Sequence, residues 1–205
     1  MPLYYSHIIN ATTRLAVWHI KEEEDFFLEK VPLSRKITHP HKRLQHLAGR
    51  YLLQHLFPEF PIHLVQIADT RKPYLSNESH HFSISHCGDY AAVIVSTDKR
   101  VGIDIELHSE RILTVQHKFL SAKEAALEND IGPVFPTLIW SAKEAMYKWY
   151  SLGEIDFQTH LQILAVYQKT SVLGKIDALV CKDEMVSLHL PFVIWNDLVL
   201  TWVYR

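Results

Sequence analysis

Val101-Gly-Ile-Asp-Ile-Glu106 opens, and Trp140-Ser-Ala-Lys-Glu-Ala-Met-Tyr-Lys148 closes, the stretch on which the reading of this chain turns. The first piece alternates apolar and acidic residues, which predicts a short strand with Asp104 and Glu106 on one face. Two carboxylates side by side repel each other unless a cation lies between them. The second piece predicts a helix in which Trp140, Glu144 and Lys148, spaced four apart, share a face. Three oxygen donors with open positions suit Mg²⁺, which keeps waters and takes phosphate oxygens as its remaining ligands. A plainer alternative pairs Glu144 with Lys148 on the helix surface, worth only tenths of a kcal/mol. The strand argues against it, because acids flanked by Val101, Ile103 and Ile105 are costly to bury without compensation.

Ser-Ala-Lys-Glu-Ala occurs twice, at 121–125 and 141–145, so the pentapeptide by itself identifies nothing. In the first copy Ser121 and Glu124 fit a capping box that opens a helix. In the second, Trp140 and Lys148 flank Glu144 on its own face, which makes Glu144 the ligand candidate and Glu124 a cap.

Two upstream pieces belong with this pattern: Arg71-Lys72-Pro73-Tyr74-Leu75 and Phe82-Ser83-Ile84-Ser85-His86. With Gly-Ile-Asp-Ile-Glu and, about forty residues later, Trp-Ser-x-Lys-Glu-Ala-x-x-Lys, the set resembles the signature of the 4′-phosphopantetheinyl transferases. The matching blocks run from about Arg43 to Lys148 in the family's order. Arg71 stands where the family pattern has glycine, and Ser83 where asparagine is common.

The resemblance implies an α+β fold of the larger, Sfp-type kind: two similar lobes forming a pseudodimer, each a small antiparallel sheet packed on a long helix. Residues 1–100 would form the lobe contacting coenzyme A phosphates and 101–205 the lobe carrying the metal ligands, with the site at the lobe interface. The implied activity transfers 4′-phosphopantetheine from coenzyme A to a serine of an apo acyl or peptidyl carrier protein, releasing 3′,5′-ADP. Asp104, Glu106 and Glu144 would bind Mg²⁺ or Mn²⁺; Glu144, Lys148 and Asp104 would be catalytic, with Glu144 as base. Arg43, Arg50, Lys72, Ser85, His86, Lys143 and Lys148 would contact coenzyme A, Lys143 in a secondary part. Trp140 either packs under the site or touches ligand. A coenzyme A-binding protein without activity and a Mg²⁺-dependent coenzyme A pyrophosphate hydrolase share these residues and stand as alternatives.

Composition sets the outer bounds. The 205 residues carry a formal charge of −2, which implies no bulk attraction to nucleic acid or membrane. Two cysteines, Cys87 and Cys181, are too few for a disulfide framework and point to a reducing cytosol. There is no leader-like or membrane-spanning apolar run. A soluble cytoplasmic protein, acting as a monomer, is expected.

Along the chain, strands are predicted at 3–9 and 14–20, then a short helix over 22–29 whose acidic run Glu22–Asp25 forms a solvated face. From Val31 to Pro58 there is no acid, while Arg35, Lys36, Lys42, Arg43 and Arg50 all occur. Apolar spacing predicts a helix after Pro40, with either an ordinary basic face or a cationic rim for a polyanion. Residues 62–67 read as a strand, and 82–86 with 90–95 as a hairpin. His80 and His81 are expected in solvent, and His39 and His41 lack the further ligands zinc needs. Helices follow near 109–119 and 121–128, then a long one to about Leu152 with Gly153 as its C-cap. The remainder alternates as strands at 161–167, 172–180, 185–190, 192–195 and 198–204. A loose echo between Phe82–Val95 and Phe192–Val203 hints at duplication.

Overall fold

The computed structural model describes residues 2–33, 36–128 and 131–205. The chain divides into two compact units, Met1–Val101 and Gly102–Arg205.

The first unit runs β1 (Leu3–Ile8), β2 (Thr13–His19), α1 (Glu24–Leu28), α2 (Pro40–Leu56), β3 (Val65–Ile67), β4 (Pro73–Leu75), β5 (His81–Cys87) and β6 (Tyr90–Ser96). Strands β1, β2, β6 and β5 form a sheet in that order, antiparallel at each pairing, while β3 and β4 pair separately. Pro40 opens α2, where a missing N–H costs nothing, and His39 caps it by accepting from the Lys42 N–H. Leu47, Ala48, Leu52, Leu53 and Leu56 then bury against Trp18, Phe82, Val93 and Val95. Each large apolar side chain removed from water contributes about 1.5–3 kcal/mol, which holds the helix on the sheet.

The second unit runs β7 (Val101–Leu107), α3 (Glu110–Val115), α4 (Ala122–Ala125), α5 (Phe135–Tyr150), β8 (Leu161–Gln168), β9 (Leu173–Cys181), β10 (Met185–Trp195) and β11 (Leu198–Tyr204). Its sheet has the order β7-β11-β10-β9-β8. Leu138, Ala142, Ala145 and Met146 of α5 pack with Ile163, Ile176, Phe192 and Val203. The two units share a plan: strand, long helix, then a hairpin whose second strand pairs with the first strand (β2-β6-β5 and β7-β11-β10). The α+β reading, a sheet with a long helix in each half, therefore holds.

Several local expectations change. Residues 62–67 begin as a 3₁₀ turn over Ile62–Leu64, because the Arg50 guanidinium takes the Ile62 carbonyl at 3.1 Å; only Val65–Ile67 is strand. The long helix stops at Ser151, itself left-handed at φ 65° with its N–H on the Tyr147 carbonyl, two residues before Gly153. The expected break at Pro191 does not occur. β10 runs through it, since Pro191 pairs with Lys175 of β9 while pairing with β11 begins at Phe192. A missing N–H is tolerated at such a half-paired position. Glu22 and Glu24 are not merely solvated: Glu22 accepts from the Trp18 indole at 3.0 Å, and Glu24 pairs with Arg43 at 2.6 Å. His80 and His81 are half-buried, His80 lying against Phe57 and Phe60.

Gly102 decides how closely β7 can lie on α5. A Cβ there would stand 2.0 Å from the Ala145 carbonyl oxygen and 2.9 Å from the Trp149 nitrogen. Gly102→Ala is therefore expected to destabilise by at least about 3 kcal/mol, read as a lowered urea midpoint, because backbone atoms have no rotamer to retreat into.

Candidate functional site

The tight seat of β7 on α5 brings the strand acids under the helix. Asp104 is buried, and Lys148 donates to its Oδ1 at 2.7 Å. Trp140 donates its indole N–H to Glu106 Oε1 at 3.2 Å while stacking on Phe157. The plainer alternative, a surface pair of Glu144 with Lys148 alone, does not account for this contact: the lysine reaches across to the strand. Glu144 lies between these contacts on the same helix. Burial, and then the charge of Asp104, push its carboxyl up to about 7; Glu106 adds to the rise and Lys148 opposes it.

Asp104, Glu106 and Glu144 therefore share one electrostatic environment, which is the condition a divalent cation would relieve. Among the described residues no three His, Cys, Asp or Glu side chains are already closed into a metal-holding group. Asp104 and Glu106 are engaged by Lys148 and Trp140. The donor chemistry suits a hard cation, whereas the arrangement is open rather than preformed.

Lys143 corrects its expected place at the coenzyme. Its side chain is fully buried, and its Nζ reaches Glu124 Oε1 at 2.7 Å and the carbonyls of Phe119 and Phe157, each at 2.7 Å. Glu124 caps α4 as expected, its Oε2 accepting from the Ser121 N–H, while its Oε1 accepts from the Ile163 N–H. The first copy of the repeated pentapeptide thus supplies the carboxylate, and the second the lysine, of one internal pair. Burial pulls the Lys143 ammonium below the usual lysine range, with Glu124 opposing. A signal was available in the sequence: Lys143 sits four residues from both Ile139 and Tyr147, an apolar stripe that demands a buried partner for a charge.

A second feature lies wholly within the first unit. A cleft of about 290 Å³ is walled by Leu53, Val65, Ile67, Pro73 and Ile84, and its polar lining is His46, Arg50, Arg71 and His86. Among the described residues no carboxylate lines it. Gly49 allows Ile84 to press on α2, since a Cβ there would lie 2.8 Å from Ile84 Cγ2. That contact sets β5 against the turn carrying Arg50. Arg50 is 5% exposed, and its Nε has no partner among the described residues. Burial draws its guanidinium below the usual arginine range.

The expected coenzyme contacts divide accordingly. Arg50 and His86 line the cleft. Ser85 lies on the alternate face of β5 and is buried. Arg43 is committed to Glu24 and to the Ile37 carbonyl at 3.0 Å. Lys72 is half-buried, its ammonium pushed down to about 8 by burial and then by the nearby Arg100. Arg35 lies outside the described residues. His46 and Arg71 were not anticipated; His46, one helical turn before Arg50, was detectable from its spacing, whereas Arg71 was not.

Residues 100–189 match the ACPS family model, described as the 4′-phosphopantetheinyl transferase superfamily. Enterobactin synthase component D of Salmonella austin is 32% identical over 114 residues, covering 54% of this chain and 48% of that protein. The same component of Salmonella typhi is 34% identical over 121 residues, covering 54% and 49%. The chain spans about half the length of the curated relatives it matches. Among the described residues no helix is long and apolar enough to cross a membrane.

Two measurements test these assignments. In metal-free buffer the folded protein holds a proton on Glu144 between its ordinary 4.5 and about 7 that the unfolded chain has released. Stability should therefore fall as pH rises through that window, by up to about 3 kcal/mol, and Glu144→Gln should flatten that part of the profile of urea midpoint against pH. Lys143→Met should cost about 3–5 kcal/mol in the same assay, because it leaves the Glu124 carboxylate buried without its cation.

Proposed function

We propose that the chain, whose residues 100–189 match the 4′-phosphopantetheinyl transferase superfamily model, transfers 4′-phosphopantetheine from coenzyme A to a serine hydroxyl of an apo carrier protein. The serine oxygen forms a bond to the phosphorus bearing the pantetheine arm, the pyrophosphate P–O bond breaks, and 3′,5′-ADP leaves. The observation that carries this reading is the half-buried Glu144, raised to about 7 beside Asp104 and Glu106, with Lys148 on Asp104. A base of that strength takes up a proton readily near neutral pH, which is the demand a serine nucleophile makes.

The residues divide the work by charge. Glu144 accepts the serine proton. Lys148, seated on Asp104, keeps a cation next to the carboxylates, where negative charge shifts onto phosphate oxygens. Asp104, Glu106 and Glu144 would hold Mg²⁺, which when bound neutralises the diphosphate and orients it. Trp140 fixes Glu106 through its indole N–H. Arg50 and His86, facing a cleft without acids, would bind coenzyme phosphate through charge-assisted hydrogen bonds.

The names of the Salmonella relatives, each a component of a synthase, support a carrier within a biosynthetic assembly as acceptor. A single chain bearing both the cleft and the carboxylates supports action as a monomer. Cys87 and Cys181 form no disulfide, in keeping with a reducing cytoplasm.

Incubation with coenzyme A, Mg²⁺ and apo carrier, followed by mass measurement of the carrier, tests the proposal. A phosphopantetheine adduct is expected. Free phosphopantetheine with unmodified carrier would indicate a hydrolase, and no turnover a binding protein. Asp104→Ala should lower transfer about 10³-fold with the far-ultraviolet circular dichroism retained, and wild-type turnover would remove the metal site. Arg50→Ala should raise the KM for coenzyme A about tenfold at similar kcat.

A further inference from the structure

We infer that Arg71 is a second guanidinium anchor of the cleft and, with Arg50, sets its preference for a doubly charged phosphomonoester; the inference builds on the coenzyme A reading above. Arg71 has φ 65°, in the left-handed region that glycine occupies without a Cβ clash. The turn does not need an arginine. Its bonds are made by the backbone: the Arg71 N–H on the Ala68 carbonyl at 2.8 Å, and the Ala68 N–H on the Lys72 carbonyl at 2.9 Å. A glycine would hold the same turn with less strain. What the arginine adds is a side chain, and that side chain lines the cleft.

Its surroundings point to an anionic ligand. Among the described residues Arg71 makes no ion pair and no side-chain hydrogen bond, so no polar contact offsets the strained backbone. It shares the cavity with Arg50, His46 and His86, and no described acid lies between them. Arg50 adds a buried Nε without a partner. Two guanidiniums facing one small cavity repel each other until an anion enters. Their planar forks match phosphate oxygens two at a time, which a lysine or histidine does not do. Two such cations suit a terminal phosphomonoester, with its two charges and three free oxygens, better than the singly charged phosphates inside a diphosphate. On coenzyme A that group is the 3′-phosphate.

Arg71→Gly is the informative variant, because it removes the guanidinium and relaxes the backbone together. Calorimetric titrations of the full chain with coenzyme A, 3′-dephospho-coenzyme A and 3′,5′-ADP, together with a thermal melt, separate the outcomes. The variant should bind coenzyme A and 3′,5′-ADP roughly tenfold more weakly, the scale of one charge-assisted hydrogen bond, and dephospho-coenzyme A as the wild type does. It should melt no lower than the wild type, which a merely structural arginine would not allow. Undiminished coenzyme A binding by Arg71→Gly, or an equal loss for the dephospho ligand, overturns the inference and leaves the transferase reading standing. Arg71-dependent 3′,5′-ADP binding in a protein that loads no carrier would instead sustain the inference and sink the transferase reading. A wild type that binds none of the three overturns both.

Discussion

The arrangement of the second unit depends on how closely a strand can approach a helix. Gly102 lets β7 lie against the Ala145 carbonyl, and no side chain with a Cβ could take its place without moving one backbone or the other. From that contact the rest follows by geometry. Asp104 and Glu106, two and four residues further along, come under the face carrying Trp140, Glu144 and Lys148. Three carboxylates then act on one another, and the fold answers by giving Asp104 a lysine and Glu106 an indole, while Glu144 holds its proton to higher pH.

The first unit uses the opposite electrostatics. Its cleft collects cationic and imidazole side chains from α2, the β3–β4 turn and β5, and the acids of the neighbouring sequence are drawn elsewhere: Glu24 to Arg43, Glu22 to Trp18. The charge-rich region between Val31 and Pro58 is therefore not a uniform basic rim. One arginine stabilises the join of α1 and α2, while another is buried at the wall of a cavity. Position relative to Gly49 and Ile84, not net charge, separates them.

Much of this was legible in sequence because it rested on periodicity. The alternation through Asp104 and Glu106, the four-residue spacing of Trp140, Glu144 and Lys148, and the α2 stripe all follow from strand and helix repeats. The capping role of Glu124 was equally plain from Ser121. What escaped the reading depended on contacts between distant segments. Sequence alone places Lys143 at the coenzyme, because its partner sits nineteen positions away in another helix. Ile62 looked like strand until Arg50 claimed its carbonyl. Arg71 could be seen to depart from a glycine pattern, but only its backbone angle and the cavity beside it give that departure meaning.

The internal pair of Lys143 and Glu124 bears on more than stability. Successive residues of an α-helix point about 100° apart, so a side chain held at three fixed oxygens sets the rotational phase of its whole helix. Lys143 is so held, by Glu124 and the carbonyls of Phe119 and Phe157. Its neighbour Glu144 is thereby indexed: α5 cannot roll to release that carboxylate without tearing an ammonium from a dry interior. The aim of the side of the helix that carries Glu144 is governed from its buried side, by a lysine that solvent does not reach.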